Sequence, residues 1–227
     1  MNPIRKNTTL NINAAIFDLD SCLAPADEMG RSFYEPAFKA IRKANEGAVS
    51  DAVLEVALED CWRHPLDFVA QNHGLSQAML NAGWRVFSGL EVQTPMSGYG
   101  DLDVLKQLPL LRFLVTSGFR RLQESKIRAL ELAPVFTAIY IDAIDEPDRK
   151  GKEGIFLEIL ERHRLKPEEI IVVGDNPESE IAAGNRLGMP TVQILRPGVP
   201  RGDNADQYIH ELSELVPLVA NSRVESH

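Results

Sequence analysis

Cysteine is scarce: Cys22 and Cys61 are the only two in 227 residues. Two thiols could form one bridge, but not the framework that holds a small secreted scaffold together. Positive charge is also short. Lys and Arg total 24 against 33 Asp and Glu, for a formal net charge of -9. Such a surface repels nucleic-acid phosphates and offers no broad attraction to anionic lipid, so neither is expected as a partner. No apolar run is long enough to span a bilayer, and no internal repeat or low-complexity segment stands out. No apolar run follows Arg5 and Lys6, so no secretory leader is expected, and a reducing cytoplasm is the expected compartment. The rest is ordinary. Hydrophobic residues make up 44% and charged residues 25%, enough for one α/β core with a small accessory unit. An anionic substrate would need a local positive site.

Five short apolar runs read as buried strands, at residues 13–17, 110–115, 138–141, 170–173 and 191–195. Helical patterns separate the later ones, at 119–130, 154–163 and 177–187, with Pro177 placed for a first turn and Gly188 for a stop. Strands alternating with helices predict a parallel, doubly wound, Rossmann-like sheet covered on both faces. Residues 24–94 break the alternation. They show no clear strand, and 33–44, 51–62 and 76–87 have amphipathic helical spacing, with Ser50 and Ser76 placed as N-caps. The expected organisation is an α/β core from 1–23 and 95–227, with a helical cap from 24–94. The tail from residue 221 onward is expected to fray.

The strand ends carry the chemistry. In a parallel sheet all C-terminal ends share one edge, and ligands of open α/β sheets bind outside it. Asp18 and Asp20 follow the first strand, Thr116 and Ser117 the second, and Asp175 the fourth. Any one of these acids could be a solvated turn; an ordered set is harder to explain that way. Carboxylates facing one point repel, and a divalent cation relieves the repulsion; an oxygen-only site suits Mg²⁺. A carboxylate can also act as a nucleophile, and a second one two residues on can move protons. Thr116 offers a hydroxyl, while Ser117 and Gly118 offer backbone N–H groups at the start of a helix, an anion site. Lys150 and Lys152, before the helix that follows the third strand, could balance the charge of a phosphoryl group.

The order of these segments resembles the haloacid dehalogenase superfamily. A hydrophobic strand followed by D-x-D appears as I-F-D-L-D-S-C-L at 16–23, and a strand ending in Thr or Ser as F-L-V-T-S-G at 113–118. A lysine ahead of a helix appears in R-K-G-K-E-G-I-F at 149–156, and G-D with a later acid as V-G-D-N-P-E-S-E-I at 173–181. The resemblance implies a Mg²⁺-dependent phosphomonoester hydrolase working through an aspartyl-phosphate on a small phosphorylated metabolite. It implies Asp18 as nucleophile and metal ligand, and Asp20 as general acid/base with its backbone carbonyl on the metal. Asp175 becomes a further metal ligand, Thr116, Ser117 and Gly118 the phosphate site, and Glu180 and Asn176 supports. Many members read K-P-x-P-x-x-F, which puts the motif lysine at Lys150, with Lys152 the alternative. A helical insertion after the first strand is, by the same resemblance, a C1-type cap that closes over the site.

The pattern bends in two places. Cys22 stands where threonine is usual, which is read as a small packed residue, and Glu180 replaces the usual aspartate. Asp20 disfavours carbon–halogen hydrolysis, because dehalogenating members lack that second aspartate. A phosphomutase stays open, as do a phospho-acceptor signalling module and a catalytically silent binding protein of the same fold. Arg31, Arg63, His64 and His73 are the candidate cap contacts, and Trp62 and Trp84 are expected in the cap core. Asp142, Asp145, Glu146 and Asp148 read as a solvated acidic turn. A monomer and a homodimer are both open.

Overall fold

The computed structural model describes residues 11–220. Six strands form one parallel sheet: β1 (Ala14–Phe17), β2 (Leu111–Gly118), β3 (Ala138–Ala143), β4 (Ile170–Gly174), β5 (Thr191–Ile194) and β6 (Gln207–Ile209). Their order is β3-β2-β1-β4-β5-β6, every neighbouring pair parallel. This is the expected doubly wound sheet, and its order reverses direction between β1 and β4. A crevice opens at such a reversal, outside the carboxyl ends of the strands.

Side-chain alternation sorts the strands between two cores. Ala14 and Ile16 of β1 join Phe113, Val115, Ile170 and Val172 on one face, under Ile155, Phe156 and Ile159 of α7 (Gly151–His163) and Ala183 of α8 (Glu180–Leu187). Ala15 and Phe17 point the other way, with Leu114, Ile171, Val173, Val192 and Ile194. That face is covered by α5 (Val104–Gln107), α6 (Arg120–Ala129) and α9 (Leu215–Ala220). All four residues of β1 and all five of β4 are buried, which is why both read as continuous apolar runs.

Between β1 and β2 lie α1 (Glu35–Lys43), α2 (Asp51–Asp60), α3 (Leu66–His73) and α4 (Gln77–Phe87), and no strand among the described residues. Ser50 caps α2 by accepting from the Val53 N–H, and Ser76 caps α4 by accepting from the Met79 N–H. The helix α3 was not anticipated; at eight residues after Pro65 its period is too short to stand out. An aromatic stack ties this unit together and to the core. Tyr34 lies 4.4 Å from Trp62, nearly parallel, and Phe87 stacks on Phe119 at 5.6 Å. The unit's hydrophobic residues belong to the same cluster as one face of the sheet.

Several boundaries differ from the sequence reading. β2 runs to Gly118 and β3 to Ala143, so Ser117 and Asp142 sit opposite each other in the ladder. Ser117 and Gly118 are therefore the last residues of a strand rather than the start of a helix, and α6 begins at Arg120. Asp142 is buried, not in a solvated turn. Pro177 lies in the turn ahead of α8, which starts at Glu180 and stops at Gly188 in left-handed conformation. The expected fraying beyond residue 220 lies outside the described residues, as do Arg5 and Lys6.

An ion pair built on a buried arginine braces the loop after β1. Arg196 donates to the Cys22 carbonyl at 3.0 Å and to the His210 carbonyl at 3.2 Å. It pairs with Asp101 at 2.8 Å, its side chain 4% exposed, and Asp101 in turn accepts from the Leu212 N–H at 2.9 Å. Removing one partner of such a pair strands the other. Arg196→Met is expected to lower unfolding stability by about 3–5 kcal/mol, read as a shifted midpoint in urea with an unchanged slope. A shift below about 1 kcal/mol would mean that the pair is solvated and braces nothing.

Candidate active site

Asp18 is the first residue past β1, and its N–H still donates to the Val173 carbonyl at 3.0 Å, so the neighbouring strand fixes its backbone. Asp175 follows β4 in the same way, and the Gln193 side-chain amide holds its carbonyl at 2.8 Å. The two acids therefore face each other across the reversal of the sheet. With Glu180 they form a group in which one carboxylate oxygen from each residue lies within 4.8 Å of the others. Glu180 opens α8 and is 1% exposed. Its two oxygens are both engaged, one accepting from the Asn176 N–H at 2.6 Å and the other from Lys152 at 2.7 Å. A β-carbon at position 174 would overlap the Glu180 side chain, which explains the glycine before Asp175.

Lys152 is the ammonium at the centre. It reaches Asp18 at 2.9 Å and Glu180 at 2.7 Å, 9% exposed. Lys150, the residue favoured by spacing, is not there: it pairs with Glu158 at 2.7 Å on the surface. The physical reason is that α7 starts at Gly151, three residues earlier than expected. Lys152 thus falls in the first turn, on the stripe that continues through Ile155, Phe156 and Ile159 at helical spacing.

Three buried carboxylates against one ammonium leave uncompensated negative charge. Burial pushes the Asp18 carboxyl from 3.8 to about 7, with Glu180 and Asp20 adding to the rise and Lys152 opposing it. Burial likewise holds Asp175 well above its usual range, reinforced by Glu180 and Asp18. Burial pulls the Lys152 ammonium down, but Asp18 and Glu180 outweigh it and keep it firmly protonated. A divalent cation with hard oxygen ligands fits this donor set. Among the described residues no protein hydrogen-bond donor reaches the Asp175 carboxylate, which leaves it and the second Asp18 oxygen open to one.

The remaining candidates gather around this centre. Thr116 is buried at the cleft floor, with Ser117 and Gly118 beside it. Ser117 donates to Asp142 at 3.1 Å, and Asp142 also accepts from Arg149 at 2.8 Å and from the Gly151 N–H at 3.0 Å. It therefore anchors the start of α7, and through it Lys152. Asp20 points to the other side. Lys126 reaches it at 2.6 Å and Gln123 at 3.0 Å.

Neither Gln123 nor Lys126 was singled out from sequence, although a signal was there: both are polar residues in the helical stripe of Phe119, Leu122 and Leu130. Of the insertion's candidates, Arg63 and His64 line the cleft together with Trp62. Arg31 pairs with Glu59 and His73 with Asp60. Trp84 packs edge-on against Phe119 at 5.0 Å, between the insertion and the core. The cleft encloses roughly 650 Å³, the scale of a small-molecule site.

Comparison with known proteins identifies the family. The family model for haloacid dehalogenase-like hydrolases matches residues 12–188. A glyceraldehyde 3-phosphate phosphatase of Methanopyrus kandleri is 29% identical over 201 residues, covering 82% of this chain and 84% of that protein. A protein of the same name from Methanocaldococcus jannaschii is 33% identical over 123 residues, about half of each chain (52% of both). The crystal structure of a HAD phosphatase from Thermococcus onnurineus superposes with a TM-score of 0.62 at 22% identity, covering 94% of this chain and all of that one. The chain belongs to the haloacid dehalogenase-like hydrolases.

Proposed function

We infer that the protein is a Mg²⁺-dependent phosphomonoesterase acting on a small phosphorylated metabolite through an aspartyl-phosphate on Asp18. The observation that carries this is Asp18 itself: a carboxylate at the reversal of the sheet, 2.9 Å from a buried ammonium and facing a second acid with open oxygens. The name shared by the Methanopyrus and Methanocaldococcus relatives supports a short phosphorylated aldehyde as substrate. Two free thiols suit a reducing cytoplasm, and no helix among the described residues is long and apolar enough to cross a membrane.

Asp18 attacks phosphorus; the Asp18–phosphorus bond forms as the ester P–O bond breaks. Asp20, positioned by Lys126 and Gln123, enters the step in its protonated form, gives that proton to the departing oxygen and then takes one from the water that releases phosphate. Lys152 and Thr116 hold the phosphoryl oxygens. Asp18, Asp175 and the Asp20 backbone carbonyl would hold Mg²⁺, which supplies positive charge against the phosphoryl group when bound. Helices α1–α4 act as a cap, with Trp62, Arg63 and His64 turned to the cleft and water excluded when it closes.

The test is release of inorganic phosphate from a panel of small phosphomonoesters. Turnover is expected with Mg²⁺, and less than about 1% of it should survive chelation, the scale of losing a dominant electrostatic stabiliser. Full turnover in chelator would remove the metal from this account.

A further inference from the structure

Gln123 and Lys126 are each 3% exposed, and both line the cleft. Their hydrogen bonding is incomplete. The Gln123 amide nitrogen donates to Asp20 and to the Ser117 carbonyl, both at 3.0 Å. Turning the amide over would set oxygen against two oxygens, so the orientation is fixed by its partners. The amide oxygen is then left buried with no partner. A buried acceptor without a donor is costly and calls for a ligand or a water. Lys126 has three N–H donors. One meets Asp20 at 2.6 Å and one faces the Tyr34 hydroxyl at 3.5 Å; no acceptor for the third is found among the described residues.

These two residues stand three apart on α6 and so share one face. The wall around them is otherwise apolar: Tyr34, Phe87, Phe119 and Leu122 also line this part of the cleft. Gly118 makes the arrangement possible, because a β-carbon there would lie 2.6 Å from the Gln123 amide nitrogen. One unpartnered acceptor and one spare ammonium donor, on the same face of α6 and in residues that line the cleft, match a single group that both donates and accepts. A hydroxyl does so. Both residues grip Asp20, the acid at the leaving oxygen, so the hydroxyl they receive lies close to the ester bond.

We propose that Gln123 and Lys126 form a leaving-group subsite for a hydroxyl on the carbon next to the ester carbon, making the substrate class vicinal hydroxy-alkyl phosphates. This rests on the phosphomonoesterase reading above. The subsite discriminates because an analogue lacking the hydroxyl leaves a buried acceptor and a buried ammonium donor unpaired.

The experiment compares kcat/KM for propane-1,2-diol 1-phosphate, propane-1,3-diol 1-phosphate and n-propyl phosphate, with p-nitrophenyl phosphate as a control, in the Mg²⁺-loaded enzyme. The 1,2-diol ester is expected to exceed both others by about 100-fold. In Gln123→Met that ratio is expected to fall below about 10-fold whatever the absolute rate, since the side chain keeps its volume and loses its acceptor. Equal rates on the three alkyl esters, with p-nitrophenyl phosphate hydrolysed, would overturn the subsite and leave the phosphatase reading standing. A preference for the 1,3-diol ester would do the same. No release from any of the four would overturn the phosphatase reading and the subsite with it.

Discussion

Asp18→Asn is expected to cost at least about 10⁴-fold in phosphate release, and at the same time to make the metal-free protein more stable at pH 8. The loss follows from chemistry. An amide of the same shape is a poor nucleophile, and it would take one anionic ligand from the proposed Mg²⁺ site. The backbone of residue 18 is held by the Val173 carbonyl, so the turn does not depend on the side chain. Retention of wild-type turnover by this variant would sink the mechanism.

The gain in stability follows from the charge balance. The Asp18 carboxyl has an ordinary value of 3.8 and is pushed to about 7 in the fold, chiefly by burial. Between those two values the folded state binds more protons than the unfolded state. Stability of the metal-free protein therefore falls as pH rises from about 4 through about 7, by up to about 4 kcal/mol from this one group. Asparagine carries no such penalty. The thermal midpoint of the metal-free variant should exceed that of the parent at pH 8, with the gap closing towards pH 4. Mg²⁺ should raise the parent's midpoint at pH 8, since it offsets the same repulsion, and should do much less for the variant. A variant less stable than the parent at pH 8 without metal would mean that Lys152 already neutralises Asp18 in full.

The parts of this site that were legible in the sequence are those fixed by local pattern. β1 and β4 are buried on both faces, so they read as unbroken apolar runs, and the acids that end them stand out. The inserted helices α1, α2 and α4 show their period, and Ser50 and Ser76 mark two starts. What stayed hidden depends on neighbours. Ser117 and Asp142 look like loop residues; they lie in strands because each completes the other's ladder. β6 is three residues long and exists by pairing with β5. Gln123 and Lys126 sit in the apolar stripe of α6, but what they are for shows only when the fold brings in Asp20, more than a hundred residues away in sequence. Lys152 was half legible. Its place three and four residues before Ile155 and Phe156, and seven before Ile159, continues the buried stripe of α7 back to the sheet edge. Spacing within the resembling motif pointed to Lys150 instead, since that spacing assumes a chain entering the helix with a proline after the lysine. Here Gly151 and Lys152 follow, and the helix starts at once.

That difference gives the sharpest contrast between two neighbouring residues. Lys152→Met is expected to reduce turnover by about 10³-fold and to lower the stability of the metal-free protein at pH 8 by about 3–5 kcal/mol. The ammonium is buried and is the partner of both Asp18 and Glu180, and methionine fills its volume without its charge. The three acids would then face one another with no counter-ion. They would respond by holding protons more tightly, so the stability deficit should shrink as pH falls towards 5. Lys150→Met, two positions earlier, removes a surface ammonium paired with Glu158, and exposed pairs contribute little. Its turnover and its unfolding midpoint should match the parent's. If Lys150→Met lost turnover and Lys152→Met kept it, the helix start at Gly151 could not be the working geometry. The phosphoryl group would then have to be held from the rim of the cleft rather than from its floor.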